Sequence, residues 1–293
     1  MREYLLCLLA AAAVTYLLTP LVRATAIRYG AMAIARDRDV HLLPTPRWGG
    51  LAMVGGFIVA VILASNLPLM STIFQDRKQI TALLLSATII VVLGLLDDRF
   101  GLDAPTKLVG QILAAAVLAL KGVTMVWLPV RGIFILDPST SVLATVLVVL
   151  VSINAVNMVD GLDGLAASIG GIGAAAFFAY SYFLSVQNGY QRATLATLVS
   201  AALVGMCIGF LPHNWFRARI FMGDTGSMLI GLFMAASSIM LTGQVDPGGL
   251  TGGVLLPAFL PIVLPLIILS VPLVDLSLAI IRRTRKGRSP FAP

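Results

Sequence analysis

Charged residues are scarce in this chain of 293 residues, and their scarcity excludes most soluble folds. Only 11% of its residues are Asp, Glu, Lys or Arg, whereas a soluble domain carries about 25%. Hydrophobic residues make up 59% and the mean hydropathy is +0.98, so most of the surface must face lipid. Because the chain lacks a long polar stretch that could form a second core, we expect one membrane domain over residues 1–293.

Cysteine and histidine are nearly absent, which limits the redox and metal chemistry of the chain. Cys7 and Cys207 both fall within apolar segments, where small buried hydrophobes are expected. His41 and His213 are the two histidines, and either fits a hydrogen bond at the lipid interface. The net charge of +7 does not indicate nucleic acid, because the basic residues lie between apolar segments and form no polar module.

Apolar runs of membrane-spanning length fill most of the sequence. A spanning helix needs about 20 mostly apolar residues, and helices let such runs satisfy their backbone groups in lipid. The sequence therefore predicts an all-α polytopic membrane protein with about nine transmembrane helices. The predicted spans are residues 4–22, 49–67, 80–96, 107–121, 141–157, 165–185, 192–211, 226–243 and 254–281.

The basic residues predict the orientation of these spans. Of the 20 Lys and Arg residues, 14 lie in the connections on one side of the membrane and 6 on the other. Cytoplasmic connections carry the excess of Lys and Arg. We therefore expect the N-terminus outside and the C-terminus in the cytoplasm.

The few acidic residues converge on the cytoplasmic side. The residues in question, with nearby amides and a lysine, are Asp97, Asp98, Asp103, Lys107, Asn154, Asn157, Asp160, Asp163, Asn214 and Asp224. Like charges held close together repel each other unless a cation or a proton relieves them. Oxygen ligands without His or Cys suit Mg²⁺, with Mn²⁺ as the alternative, better than zinc.

Each polar segment has a structural interpretation beside the functional one. Asp97 and Asp98 could be a solvated helix end, although negative charge opposes the dipole there. The segment NAVNMVDGLDG is an Asx-rich turn, or its amides and carboxylates hold a uracil and a ribose. Asp224 or Thr225 caps the eighth span, or that helix N-terminus receives phosphate. Arg47 clamps a phosphate or marks the topology.

Four segments together resemble the polyprenyl-phosphate N-acetylhexosamine-1-phosphate transferase family (glycosyltransferase family 4). They are PTPRWGG, LGLLDDRFGLDAPTK, NAVNMVDGLDGLA and FMGDTGSM, in the family's order across residues 44–228. PTPRWGG and DDRFGL are more similar to the branch that makes undecaprenyl-diphosphate N-acetylglucosamine. The branch that acts on UDP-N-acetylmuramoyl-pentapeptide is the alternative.

The resemblance implies a reaction and a location. An N-acetylhexosamine 1-phosphate, N-acetylglucosamine 1-phosphate first, would pass from a UDP-sugar to undecaprenyl or decaprenyl phosphate and start a lipid-linked cell-envelope glycan. The enzyme would lie in the bacterial cytoplasmic membrane with its site facing the cytoplasm. The family has ten or eleven helices and a histidine motif after the ninth. A chain that ends at SPFAP is therefore expected to be truncated, or to lack those phosphate-binding groups.

The resemblance also implies roles for individual residues. Asp224 would be the principal Mg²⁺ ligand, with Asp98 beside it, and Asp97 and Asp98 would handle the lipid phosphate. Phe221 would stack on uracil and Asn214 would contact the base. The complete predicted substrate-binding set is Arg47, Lys107, Asn154, Asn157, Asp160, Asp163, Asn214 and Phe221. The expected partners are the UDP-sugar, the polyprenyl phosphate and the bilayer, and a homodimer is left open.

A secondary transporter is the rival from another class, and a membrane scaffold is a third reading. Transporters place ionisable residues near the bilayer midplane. Here the predicted spans are almost free of charge, with Asp275 as the main exception. The position of the carboxylates at the ends of the spans favours an enzyme.

Overall fold

The computed structural model describes residues 1–33, 44–74, 77–128, 134–187, 194–242, 270–285 and 287. Helices account for most of this part of the chain. Their bounds are α1 Arg2–Tyr29, α2 Gly49–Ser65, α3 Arg77–Phe100, α4 Ala104–Leu120, α5 Pro138–Val159, α6 Leu165–Gln187, α7 Leu195–Asn214, α8 Gly223–Thr242 and α9 Ser270–Arg285. The prediction of an all-α polytopic membrane protein is confirmed.

Short strands join the helices at two places. Strand β1 (Met32–Ala33) pairs antiparallel with β2 (Thr45–Pro46), directly before α2. Strand β3 (Trp127–Leu128) pairs antiparallel with β4 (Phe134–Ile135), between α4 and α5. A short 3₁₀ helix covers Ser71–Phe74.

The first eight predicted spans each coincide with one helix. Six of these helices are long and apolar enough to cross a membrane, while α2 and α4, with 17 residues each, are shorter. The ninth prediction, 254–281, lies outside the described residues up to position 269, and α9 covers the rest. The number of nine spans and the orientation of the termini stay predictions.

Several helices run beyond the apolar stretches that predicted them. Helix α1 continues past residue 22 to Tyr29 and ends where Gly30 adopts a left-handed conformation with φ 68°. Helix α3 continues past residue 96 to Phe100 and so includes Asp97 and Asp98. Arg and Asp do not break a helix, and the hydropathy of a segment reports the lipid boundary instead of the helix end.

Helix α8 forms the centre of the bundle. Its most apolar 18-residue window is 100% buried within the protein, compared with 83% for α7 and 22% for α1. Small residues allow this close packing: a Cβ on Gly231 would lie 2.6 Å from the Cα of Ile153 in α5. The N-terminal turn of α8, which carries Asp224, is therefore held between its neighbours.

Candidate active site

The site is built where the C-terminal end of α3 meets the N-terminal end of α8. Two glycines permit this approach. A Cβ on Gly94 of α3 would lie 2.4 Å from the Cα of Thr225, and a Cβ on Gly50 of α2 would lie 2.3 Å from the backbone nitrogen of Gly226. Only hydrogen at these positions lets the three helix ends meet.

Asp98 bonds directly to the first turn of α8. Its Oδ1 accepts a hydrogen bond from the backbone N–H of Asp224 at 2.8 Å. Its Oδ2 accepts from the backbone N–H of Thr225 at 3.2 Å and from the Thr225 hydroxyl at 2.8 Å. The sequence predicts that this helix end either is capped by Asp224 or Thr225 or receives a phosphate. The structure places the carboxylate of Asp98 there, in the role of an N-cap contributed by another helix.

Asp97 and Asp224 share one cation, the ammonium of Lys107. Lys107 Nζ lies 2.6 Å from Asp97 Oδ2 and 2.8 Å from Asp224 Oδ2. Asp97 is 5% exposed, so little water solvates its charge. Its other oxygen accepts a hydrogen bond from the backbone N–H of Leu102 at 2.8 Å, which fixes the short turn between α3 and α4. This turn brings Lys107 back over the end of α3.

Amides extend the polar region along α4 and α5. Asn157 donates to the Ser227 hydroxyl at 3.0 Å and also interacts with the carboxylate of Asp224. Asn154, one turn earlier, donates to the Gln111 Oε1 at 2.7 Å. Sequence reasoning did not select Gln111, which is buried. The sequence feature that could have identified Gln111 is its position four residues after Lys107, which places both side chains on the same face of α4.

Asp160 follows the last residue of α5 and lies among the other carboxylates. Desolvation in this half-buried position raises the pKa of Asp160 well above its usual range, and the nearby charges of Asp224 and Asp98 raise it further. The guanidinium of Arg47 acts in the opposite direction. The two predicted residues Arg47 and Asp160 are therefore electrostatically coupled within one site.

Asp163 and Asn214 bind neighbouring backbone. Asp163 Oδ2 accepts from the N–H of Ala218 at 3.0 Å. Asn214, which is 2% exposed, accepts from the N–H of Gly164 and donates to the carbonyl of Ile220, each at 3.0 Å. These contacts tie the loop after α5 to the loop before α8. The predicted contacts of Asp163 with the nucleotide-sugar and of Asn214 with the base stay predictions.

Phe221 joins the segment FMGDTGSM to the segment PTPRWGG through its backbone. Its N–H donates to the carbonyl of Pro46 at 2.8 Å, and its carbonyl accepts from the N–H of Gly49 at 3.0 Å. The N–H of Gly50 donates to the carbonyl of Met222 at 2.9 Å. Two N-terminal amides of α2 are thus already bonded to protein, and the predicted stacking of Phe221 on uracil stays a prediction.

The donor chemistry of the site fits a hard divalent cation. No three Asp, Glu, His or Cys side chains among the described residues lie close enough together to form a ready metal site. The ammonium between Asp97 and Asp224 nevertheless marks a position where these carboxylates hold positive charge. The atoms that Asp97 and Asp224 offer as ligands are carboxylate oxygens, as Mg²⁺ prefers. Asp97 and Asp224 are the residues that would hold such a cation.

The fold and the site together define a class of protein: a multi-pass membrane protein whose carboxylates, amides and lysine meet at one end of an apolar helix bundle. The model of glycosyl transferase family 4 matches residues 80–242. The chain belongs to this family, which confirms the resemblance seen in the four segments.

Similar proteins include members of two branches of the family. The decaprenyl-phosphate N-acetylglucosaminephosphotransferase of Mycobacterium tuberculosis (strain CDC 1551 / Oshkosh) is 45% identical over 100% of this chain and 74% of its own length. A probable undecaprenyl-phosphate N-acetylglucosaminyl 1-phosphate transferase of Bacillus subtilis is 33% identical over 94% of the chain and 71% of its own length. A phospho-N-acetylmuramoyl-pentapeptide-transferase of Desulforudis audaxviator is 31% identical over 75% of the chain and 70% of its own length.

Proposed function

We propose that this chain transfers N-acetylglucosamine 1-phosphate from a UDP-sugar to a polyprenyl phosphate in the membrane and releases UMP. The observation that carries the proposal is the meeting of Asp97, Lys107 and Asp224 at one end of the helix bundle. The names of the relatives at 45% and 33% identity support N-acetylglucosamine over the muramoyl-pentapeptide alternative, whose relative is 31% identical over less of the chain.

The reaction joins two phosphates and releases a third. An oxygen of the lipid phosphate attacks the β-phosphorus of the UDP-sugar, a new P–O bond forms, and the bond to the bridging oxygen breaks so that UMP leaves. A phosphate monoester has a second pKa of about 6, so it is mostly a dianion at neutral pH and its deprotonation requires no strong base. The protein therefore contributes mainly positioning and neutralisation of charge.

Mg²⁺, with Mn²⁺ as the alternative, is the proposed cofactor, and it neutralises charge on the diphosphate when bound. Asp224 is its proposed principal ligand, and Asp97 is the carboxylate that shares a cation with Asp224 in the structure. The second predicted ligand, Asp98, has both oxygens engaged by α8. Lys107 and Arg47 supply positive charge for the substrate phosphates.

The remaining contacts follow from the position of the site. Asn154, Asn157, Asp160 and Asp163 lie on α5 and its following loop, where they face the nucleotide-sugar in this proposal. The polyprenyl chain stays in the bilayer beside the bundle. We propose that this end of the bundle faces the cytoplasm from a bacterial inner membrane, because the basic connections lie on that side. The homodimer stays a prediction.

An exchange assay tests the proposal. The purified chain in lipid with polyprenyl phosphate should incorporate labelled UMP into UDP-N-acetylglucosamine when Mg²⁺ is present, and EDTA should stop the exchange. Asp224→Asn should reduce exchange by at least about a hundredfold, the scale on which loss of a metal ligand or its support acts. Asp103→Asn is the matched control, because Asp103 is exposed at the start of α4 and makes no capping bond.

Exchange that persists in EDTA would contradict the metal part of the proposal. Exchange into UDP-N-acetylmuramoyl-pentapeptide without exchange into UDP-N-acetylglucosamine would contradict the sugar. Full activity of Asp224→Asn would remove Asp224 from its proposed role.

A further inference from the structure

Asp98 has contacts that differ from those expected of a catalytic base or a metal ligand. It is 5% exposed, and its two oxygens accept three hydrogen bonds from the first turn of α8. Its neighbour Asp97 instead bonds Leu102 through Oδ1 and the ammonium of Lys107 through Oδ2. The two adjacent carboxylates therefore have separate tasks in the structure.

We propose that Asp98 is a positioning residue, which caps the N-terminus of α8 and thereby holds the carboxylate of Asp224 in place. The backbone N–H that donates to Asp98 Oδ1 belongs to Asp224 itself. A displaced cap would therefore move the backbone of Asp224, whose side chain lies 2.8 Å from Lys107. The inference deepens the proposed function, on which its activity and Mn²⁺ measurements depend, whereas its melting-temperature measurement does not.

The chain around this contact is shaped to admit the Asp98 carboxylate. Gly223 has φ +71°, and a Cβ there would lie 2.5 Å from one oxygen of Asp98 and 2.6 Å from the other. Gly94, one turn before Asp98 on α3, lets α3 approach the Cα of Thr225. A Cβ at either position would separate the carboxylate of Asp98 from the end of α8. A helix terminus exposed to solvent would not require glycine at these two positions.

The cap also determines where substrate phosphate binds. A free helix N-terminus attracts anions through its unpaired N–H groups and its dipole. Asp98 already supplies that anion at α8, and the carbonyls of residues 221 and 222 occupy two amides of α2. Within the proposed function, the cationic side chains Lys107 and Arg47 are therefore the groups of this chain that would bind the diphosphate.

A double-mutant cycle between Asp98 and Thr225 tests the inference. Thr225→Val removes the hydroxyl that donates to Asp98 but keeps the shape of the side chain. Its effect on melting temperature in EDTA and on Mn²⁺ affinity, measured by electron paramagnetic resonance, should nearly vanish in an Asp98→Asn background. Thr242→Val is the matched control, because Thr242 is equally buried in α8 but bonds within its own helix.

The inference predicts different changes in kcat, KM and Mn²⁺ binding for the different variants. Thr225→Val should lower kcat for exchange roughly three- to tenfold with KM for the UDP-sugar unchanged, whereas Thr242→Val should leave both unchanged. Asp98→Asn should still bind as many Mn²⁺ ions as the wild type, with weaker affinity, whereas Asp224→Asn should lose that binding.

Three results would overturn the inference. The first is that the effects of Asp98→Asn and Thr225→Val on melting temperature add. The second is that Asp98→Asn loses Mn²⁺ binding as Asp224→Asn does. The third is that Thr225→Val and Thr242→Val change melting temperature and kcat equally. The last comparison decides the matter alone if Asp98→Asn does not fold. If the wild type catalyses no exchange, the proposed function fails, while the melting-temperature cycle still decides the role of Asp98.

Discussion

Replacing Lys107 by Met tests the charge balance of the site. Lys107 Nζ lies 2.6 Å from Asp97 Oδ2 and 2.8 Å from Asp224 Oδ2, so the substitution leaves two carboxylates facing each other without their cation. Breaking a buried ion pair costs about 3–5 kcal/mol. Because the Lys107 side chain is 28% exposed, solvent screening reduces this, and we expect about 2 kcal/mol.

A loss of that size should lower the melting temperature of the metal-free protein by roughly 4–8 °C. Differential scanning fluorimetry in EDTA measures it. Lys121→Met is the matched control, since Lys121 is an exposed cation at the other end of α4 and should change stability by no more than about 0.5 kcal/mol.

Mg²⁺ should then stabilise the Lys107→Met variant more than the wild type, because the cation no longer competes with the ammonium for Asp97 and Asp224. The reasoning is refuted if Lys107→Met and Lys121→Met melt alike in EDTA. It is also refuted if Mg²⁺ raises the melting temperature of the variant by no more than that of the wild type.

Two further substitutions test the electrostatics and the packing of the site. Since the native pKa of Asp160 is raised above its unfolded value of about 4, stability falls as pH rises between the two values. Asp160→Asn should therefore raise the melting temperature in EDTA near pH 7 and flatten its fall with pH, and an unchanged pH profile would count against this electrostatic account. Gly50→Ala should cost about 1–3 kcal/mol, because its Cβ would lie 2.3 Å from the nitrogen of Gly226. A Cβ added at Gly161 would meet no atom within 4 Å, so Gly161→Ala should leave the melting temperature unchanged in the same experiment. Equal stability of the two variants would contradict the packing argument.

The sequence allowed the convergence of the acidic segments to be predicted, because it depends only on the number of spans between them. Asp97, Asp98, Asp160 and Asp224 follow or precede apolar runs of spanning length, so alternation across the membrane places them on one side. The structure brings these four residues into one electrostatic cluster. The side of the membrane on which a segment lies can be predicted from the number of preceding spans, without knowledge of tertiary contacts.

The pairing within that cluster could not be predicted in the same way. The partners of Asp98 lie 126 and 127 residues further along the chain, and no local signal distinguishes Asp98 from Asp97. The side of α3 from which each carboxylate projects decides which one meets α8 and which one meets Lys107. Gln111 was overlooked for a related reason, since a single amide in an apolar helix has no partner in its own segment.

The location of a bound cation tests the central claim most directly. Crystals of the protein with Mn²⁺ and a UDP-sugar should give an anomalous difference peak at about 2.2 Å from a carboxylate oxygen of Asp224, next to Asp97, with the Lys107 ammonium moved toward the phosphates. A peak distant from Asp97 and Asp224, or Lys107 still between these carboxylates in the fully occupied complex, would contradict the account.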